Sequence, residues 1–147
     1  MEYLSNLPDR LKNLMFDKGE IKPNRLGEEL QIAGSSIREW LRGESIPSLA
    51  NALKIADYFC CSLDFLSGRS EKDEEVKPRE LPPFYQRLRE VMKREGVTRY
   101  RISHNSRIRD PYFTHWAKGE QPNLNSVCIL ADYLQVSLDY LVGRRDY

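Results

Sequence analysis

Four arginines lie within eleven residues of one another: Arg99, Arg101, Arg107 and Arg109. A guanidinium keeps its charge at any physiological pH, and its fork of N–H donors fits the oxygens of a phosphate. Four such groups favour a surface that faces a polyanion, although a merely solvated face is the alternative. The chemistry that this stretch offers is therefore the binding of phosphate groups.

The charges of the chain are unevenly distributed along its 147 residues, although the total is only +1. Residues 1–69 contain nine Lys and Arg against ten Asp and Glu, and residues 70–82 contain three against five. Residues 83–147 contain eleven against seven. A polyanion should therefore be attracted most strongly by the last part of the chain.

Residue types that support catalysis or metal binding are scarce. The three cysteines (Cys60, Cys61 and Cys128) form no disulfide framework or CxxC pair, and two histidines provide too few ligands for a zinc site. The chain contains no glycine-rich phosphate loop and no nucleophile beside a plausible base. We expect a protein that is not an enzyme, with no metal, no cofactor and no small-molecule substrate.

The composition is that of a globular protein, with 40% hydrophobic and 31% charged residues. No apolar run approaches the length of a membrane span, and the first residues, MEYLSNLPDR, lack a basic segment followed by an apolar one. We therefore expect a reduced, cytoplasmic protein without a membrane partner.

Two octets, SLDFLSGR (62–69) and SLDYLVGR (137–144), are nearly identical. Single-residue gaps extend the match upstream, where WLRGE (40–44) aligns with WAKGE (116–120) and RLKNLMFDKG (10–19) with RLREVMKREG (87–96). Both gaps fall in loops marked by Gly or Pro, where a duplication tolerates them. The sequence predicts two copies of one domain, residues 1–69 and 83–147, joined by a charged, proline-containing linker, residues 70–82.

Helical periodicity and start signals predict five helices in each copy, and no strand pattern competes. Thr98, Asn123 and Ser137 are expected to cap helices, and Asp110 followed by Pro111 is a strong start signal. The predicted helices are 7–18, 23–30, 34–42, 48–59 and 62–67, then 83–95, 98–106, 110–118, 123–134 and 137–142. The fold class is all-α, with two tandem five-helix domains.

Apolar residues around the second and third helices of each copy share one spacing. They are Leu26, Leu30, Ile32, Ile37 and Trp40, matched by Ile102, Ser106, Ile108, Phe113 and Trp116, with Ser106 the one polar exception. A glycine follows three residues after each tryptophan. This pattern resembles the helix-turn-helix of the lambda repressor/Cro-like (XRE-type) family, and the S-L-D-x-L-x-G ending is also typical of that family's bacterial and phage regulators.

The resemblance implies a sequence-specific transcriptional regulator, repressor-like, that binds double-stranded DNA. The third helix of each copy would lie in the major groove, where base edges differ in their donors and acceptors. Its inward positions would hold it to the domain, and its outward positions would touch the bases. The expected inward residues are Ile37, Trp40 and Leu41 in the first copy, and Phe113, Trp116 and Ala117 in the second.

Candidate DNA contacts follow from the same resemblance. Base contacts are expected from Gly34, Ser35, Ser36, Arg38 and Glu39, and from Asp110, Pro111, Tyr112, Thr114 and His115. Phosphate contacts are expected from Asn24, Arg25 and Arg42, and from Arg99, Arg101, Arg109 and Lys118, with Arg107 adding charge. Helix capping is the competing role for Asp110, and an ordinary surface histidine is the competing interpretation of His115.

Both copies depart from the family pattern. Pro23 and Arg99 stand where the family commonly has Gln, and Pro23 cannot donate an amide hydrogen bond to a phosphate. In the first copy, Gly34, Ser35 and Ser36 also offer few hydrogen-bond donors for base recognition. Whether the first copy binds DNA stays open, and the competing hypothesis is a protein-interaction module that has kept the fold.

Relatives of this kind usually dimerise to hold two half-sites about 34 Å apart. Here the two copies could form a pseudo-dimer within one chain, with a homodimer as the alternative. About fourteen linker residues at about 3.3 Å each reach about 46 Å when extended. Because the two third helices differ, we expect an asymmetric target rather than a palindrome.

Overall fold

The computed structural model describes residues 4–146, and within that range it contains ten helices and no strand apart from one isolated bridge between Cys61 and Glu75. The helices are α1 (Leu7–Asp17), α2 (Pro23–Leu30), α3 (Gly34–Arg42), α4 (Leu49–Phe59), α5 (Leu63–Leu66), α6 (Phe84–Glu95), α7 (Arg99–Asn105), α8 (Asp110–Ala117), α9 (Leu124–Leu134) and α10 (Leu138–Val142). The predicted all-α class is confirmed, and every predicted helix end lies within one residue of the observed end.

The chain divides into two compact units, Met1–Lys77 and Pro78–Tyr147. The first unit contains α1 to α5, and the second contains α6 to α10. Each unit has its own buried apolar core, as expected when short amphipathic helices pack around a common centre.

In five of the described helices, the side-chain oxygen of the N-cap residue accepts a hydrogen bond from a backbone amide of the first turn. Thr98 accepts a hydrogen bond from the Arg101 amide, and Asn123 and Ser137 cap α9 and α10 in the same way. Ser48 and Ser62 do so in the first unit. Each of these bonds satisfies an amide that the helix itself leaves without an acceptor.

The start of α8 differs from the prediction. Arg109 occupies the N-cap position without a side-chain cap bond, and Asp110 is the first helical residue. The Asp110 carboxylate is bound by Arg99 instead of by a helix amide. The capping role expected for Asp110 is therefore wrong, because a nearby cation offers the carboxylate a stronger, charge-assisted partner.

The cores contain the residues expected from the shared spacing. Ile37 and Phe113 are at most 1% exposed, and Trp40 and Trp116 are 4% and 6% exposed. Cys61 and Cys128 are buried and Cys60 is half-buried. Ala117 is an exception, since it was expected to face inward and is exposed. It is the last residue of α8, and its methyl group is too short to reach the core.

An arginine of the first helix in each unit holds the end of the fifth helix. Arg10 donates to the carbonyl oxygens of Phe65 (2.9 Å) and Ser70 (2.8 Å), and its guanidinium lies 4.2 Å from the centre of the Phe65 ring. In the second unit Arg87 donates to the carbonyl oxygens of Tyr140 (2.8 Å) and Arg145 (3.0 Å). The two arginines are equivalent positions of the sequence match.

The Asp and Arg of the two octets form ion pairs. Asp139 and Arg144 are 2.5 Å apart, and the side chains of both are only 1% exposed. Asp64 and Arg69 pair in the first unit, where both are somewhat more accessible. In each octet the arginine amide also donates to the aspartate carbonyl oxygen at 2.8 Å. The repeated residues therefore close the fifth helix by the same contacts in both units.

The charged segment between the octet and α6 is attached at both ends. Val76 is buried and its amide donates to the Cys60 carbonyl oxygen (3.1 Å), which places it in the first unit. Arg79 pairs with Asp146 (2.6 Å) in the second unit. Fewer residues are therefore free to extend than the sequence-based reach assumed.

Candidate nucleic-acid interface

In the first unit, α2 packs closely against α3. A methyl group at Gly27 would collide with the Ile32 carbonyl oxygen, and one at Gly34 would collide with the Asn24 side chain. Between the helices Gln31 adopts a left-handed conformation (φ 57°), which ends α2 and lets α3 begin three residues later. The glycines therefore permit the short turn that presents the start of α3.

In the second unit, a hydroxyl group builds the equivalent turn. Ser106 Oγ donates to the Ile102 carbonyl oxygen (2.7 Å) and accepts from the Ile108 amide (3.1 Å). This explains the single polar residue in the otherwise apolar spacing, because its side chain satisfies backbone groups at the end of α7. The turn then leads directly to Arg109 and the start of α8.

The outward face of α8 carries three of the candidate base contacts. Tyr112, Thr114 and His115 are all exposed. His115 Nδ1 lies 2.8 Å from Glu120 Oε2, in the loop that follows the helix. The imidazole is therefore already engaged by a carboxylate, and a base could bind it only by sharing or replacing that partner.

The Arg99 side chain is hydrogen-bonded to residues of α8. Its Nε donates to Asp110 Oδ1 (2.7 Å) and its Nη2 donates to Thr114 Oγ1 (2.9 Å). The hydrogen bond to Asp110 is the main cause that raises the pKa of the Arg99 guanidinium above its ordinary value. Arg99 was expected at a phosphate, but its donors are directed to Asp110 and Thr114 of α8.

The other basic candidates of the second unit are available. Within residues 4–146, the side chains of Arg101, Arg107, Arg109 and Lys118 form no ion pair or hydrogen bond, and all four are exposed. They come from α7, from the turn before α8 and from the end of α8. Cations without an ion-pair partner, on α7 and at both ends of α8, suit the binding of a polyanion.

The candidates of the first unit are placed differently. Ser35 and Arg38 are exposed on α3, whereas Ser36 and Glu39 are half-buried. Arg38 donates to Asn24 Oδ1 (2.7 Å), so two candidates bind each other across the α2–α3 turn.

Carboxylates accompany the remaining cations of that set. Arg25 lies 3.0 Å from Glu29 and 3.5 Å from Glu28 on α2. Arg42 donates to both carboxylate oxygens of Glu44 (2.7 and 2.9 Å), and these hydrogen bonds raise the pKa of its guanidinium. A phosphate would have to compete with these carboxylates for both arginines.

The acidic partners of the candidate residues were not predicted from the sequence. Glu28 and Glu29 could have been found, because spacings of three and four place them beside Arg25 on a helix. Glu44 and Glu120 lie in loops, where sequence separation does not fix side-chain direction.

In the part of the chain that the structure describes, no group of three His, Cys, Asp or Glu residues could hold a metal ion. None of the described helices combines the length and apolarity that crossing a membrane requires.

Comparison with known protein families matches part of the first unit. Residues 18–66 match the model of a family described as Helix-turn-helix, and these residues run from the end of α1 to the end of α5 within the first unit. No curated protein and no solved structure matches the chain significantly. The match supports a helix-turn-helix protein of the kind that binds DNA and regulates transcription.

Proposed function

We propose that the chain is a sequence-specific transcriptional regulator of double-stranded DNA, of bacterial or phage type and acting in the cytoplasm. In this proposal it consists of two tandem helix-turn-helix copies, and α8 of the second copy is the main helix in the major groove. The shared contacts of Arg10 and Arg87, and of the two octets, support the interpretation of the second unit as a repeat of the first.

One observation carries the choice of the second unit. Arg101, Arg107, Arg109 and Lys118 are exposed and uncompensated around α8, whereas Arg25 and Arg42 of the first unit are paired with carboxylates. Each cation that neutralises a phosphate releases condensed counterions, which drives binding at low salt. The second unit therefore offers the larger electrostatic gain.

Base recognition would use the exposed side chains of α8. Tyr112 and His115 offer donors, acceptors and aromatic surface to base edges, and Thr114 can contact a thymine methyl group. Arg99 holds Asp110 and Thr114, which reduces the repulsion between the Asp110 carboxylate and nearby phosphates. The site thus separates phosphate contacts on the flanks from base contacts on the helix.

The experiment that tests this function is a salt series of duplex binding by fluorescence anisotropy. We expect the double variant R109A/K118A to bind every duplex more weakly. The slope of log affinity against log salt concentration should become less steep by about two, one unit for each lost phosphate contact. The matched control, K54A/K72A, removes two exposed lysines elsewhere and should leave the slope unchanged. Absence of binding by the wild-type protein at low salt would overturn the proposal.

Selection of bound sequences from random duplexes tests the finer prediction. We expect an asymmetric consensus, since α3 and α8 present different side chains. His115→Ala should relax the consensus without changing the salt slope. A perfect inverted repeat protected by one chain per half-site would indicate an ordinary dimer instead.

A second candidate function concerns the first unit. Its cations Arg25 and Arg42 are paired with carboxylates, and its apolar side chains Phe16 (64%) and Ile46 (50%) are exposed, which favours the binding of protein over the binding of DNA. If these two side chains contact a second copy of this chain, F16S/I46S should shift sedimentation equilibrium towards the monomer. A wild-type protein that stays monomeric at every concentration would exclude self-association.

A further inference from the structure

A cleft of about 660 Å³ lies within the second unit, between the first turns of α6 and the loop that follows α8. Its lining includes Phe84, Tyr85, Arg89, Lys93, Ala117 and Glu120. This volume lies in the range of sites that bind small molecules. The proposed DNA contacts of α8 do not use it.

Ala117, the last residue of α8, lines the cleft with a short side chain. The equivalent residue of the first unit is Leu41, which is half-buried and lines a smaller cleft of about 340 Å³ together with Lys12 and Phe16, the equivalents of Arg89 and Lys93. The exposure of Ala117, unexpected from the sequence, therefore accompanies a larger cleft in the second unit than the one beside Leu41 in the first.

The lining combines aromatic surface with two cations, Arg89 and Lys93, and two carboxylates, Glu90 and Glu120. Phe84 packs edge-to-face on Trp116 with ring centres 5.6 Å apart, and the Arg89 guanidinium lies 5.9 Å from the centre of the Tyr85 ring. Both carboxylates have partners, since Glu90 accepts a hydrogen bond from the Gln86 side-chain amide (3.4 Å) and Glu120 lies 2.8 Å from His115. Among the described residues, neither Arg89 nor Lys93 forms an ion pair. Aromatic walls and two cations without an ion-pair partner suit a planar anion.

Two residues of the lining also hold residues of the candidate DNA-binding surface. The Tyr85 phenol adjoins the Arg99 guanidinium, which binds Asp110 and Thr114. Glu120 binds His115 from the opposite wall. A molecule that occupies the cleft would touch both partners, and it would therefore alter the contacts that position α8.

We propose that this cleft is an effector site for a small planar aromatic carboxylate, and that its occupation changes the affinity of the second unit for DNA. The binding of the carboxylate depends on the cleft alone. The coupling to DNA rests on the proposed function, and the two can be tested separately.

Titration of the ¹⁵N-labelled full chain with 2-naphthoate tests the site. We expect amide shifts concentrated at residues 84–93 and 117–121, and weaker or absent shifts with the neutral 2-naphthalenemethanol and the cationic 2-naphthylmethylamine. Equal binding of all three probes would overturn the anionic class. Absence of shifts with 2-naphthoate at millimolar concentration would overturn the site.

Ala117→Leu introduces the residue that the first unit has at the equivalent position, Leu41. Because the larger side chain would occupy part of the cleft, this variant should bind 2-naphthoate about tenfold or more weakly. The variant R89A/K93A should weaken it by about threefold to tenfold, whereas K54A/K72A should leave it unchanged. Thermal unfolding of A117L should match the wild type, because the equivalent position already accepts leucine. Unchanged binding by a folded A117L would contradict the location of the site.

Duplex affinity measured with and without saturating 2-naphthoate separates the two proposals. We expect the affinity to change by about threefold or more in the wild type and to stay constant in A117L. Naphthoate binding without any duplex binding would support the site and refute the proposed function. Duplex binding that naphthoate leaves unchanged would refute the coupling.

Discussion

Arg99 and Asp110 join the first residue of α7 to the first residue of α8, through hydrogen bonds of 2.7 and 3.1 Å between guanidinium and carboxylate. The same guanidinium donates to the Asp110 carbonyl oxygen (2.9 Å). The pair therefore fixes the position of α8 relative to α7. It also neutralises the Asp110 carboxylate, which lies on the face proposed to bind DNA. We propose that Arg99 acts in this arrangement as a positioning residue rather than as a phosphate contact.

Substitution of the pair separates these two roles. Arg99→Ala should weaken duplex binding, because it leaves the Asp110 carboxylate uncompensated, and the second change in R99A/D110A should restore much of the loss. We expect a coupling of about fivefold in affinity across the double-mutant cycle, measured by anisotropy. If Arg99 instead contacts a phosphate, the two losses of R99A and R99A/D110A will be alike, and the salt slope will fall by about one.

The buried ion pair at the end of α10 should be costly to break. Asp139→Ala leaves Arg144 charged at 1% side-chain exposure, and removal of one partner of a buried pair costs about 3–5 kcal/mol of unfolding free energy. Urea unfolding followed by circular dichroism measures this change.

Asp64→Ala is the matched comparison for that variant. It removes the equivalent carboxylate of the first unit, where the Asp64 and Arg69 side chains are 14% and 18% exposed. We expect a smaller loss of stability, because water reaches the remaining arginine. Equal losses in the two variants would show that burial does not determine the strength of these pairs.

Gly27 should not tolerate a side chain. A Cβ atom there would collide with the Ile32 carbonyl oxygen, a backbone atom that cannot move without displacing the α2–α3 turn. Gly27→Ala should therefore lower the free energy of unfolding by about 1–2 kcal/mol, although alanine is the better helix former. Ser103 occupies the equivalent position of the second unit, and Ser103→Ala should change stability by less than about 0.5 kcal/mol. A stabilised G27A protein would contradict the close packing.

Glu44 should limit DNA binding by the first unit. Glu44→Gln weakens the hold on the Arg42 guanidinium and removes a negative charge beside it, so duplex affinity at low salt should rise. Glu80→Gln removes an exposed carboxylate that has no ion pair among the described residues, and it serves as the control. If E44Q behaves as E80Q does, the first unit does not bring Arg42 to DNA, and the protein-binding role of that unit gains support.

The sequence by itself determined the helices, because their information is local. Apolar spacing, the caps Thr98, Asn123 and Ser137, and Pro or Gly at the boundaries fix each helix within a few neighbouring residues. The burial of Trp40 and Trp116 followed from the same periodicity. The near-identity of the two octets also predicts that both units end in the same structure.

The tertiary structure alone decided which charged groups are paired. Arg99 reaches Asp110 across eleven residues and His115 reaches Glu120 across a loop, and these contacts depend on the path of the backbone between them. Ala117 was placed inward by periodicity, yet the end of α8 leaves it at an open cleft. Periodicity assigns a residue to a side of its helix, whereas pairing and access depend on what the rest of the chain brings to that side.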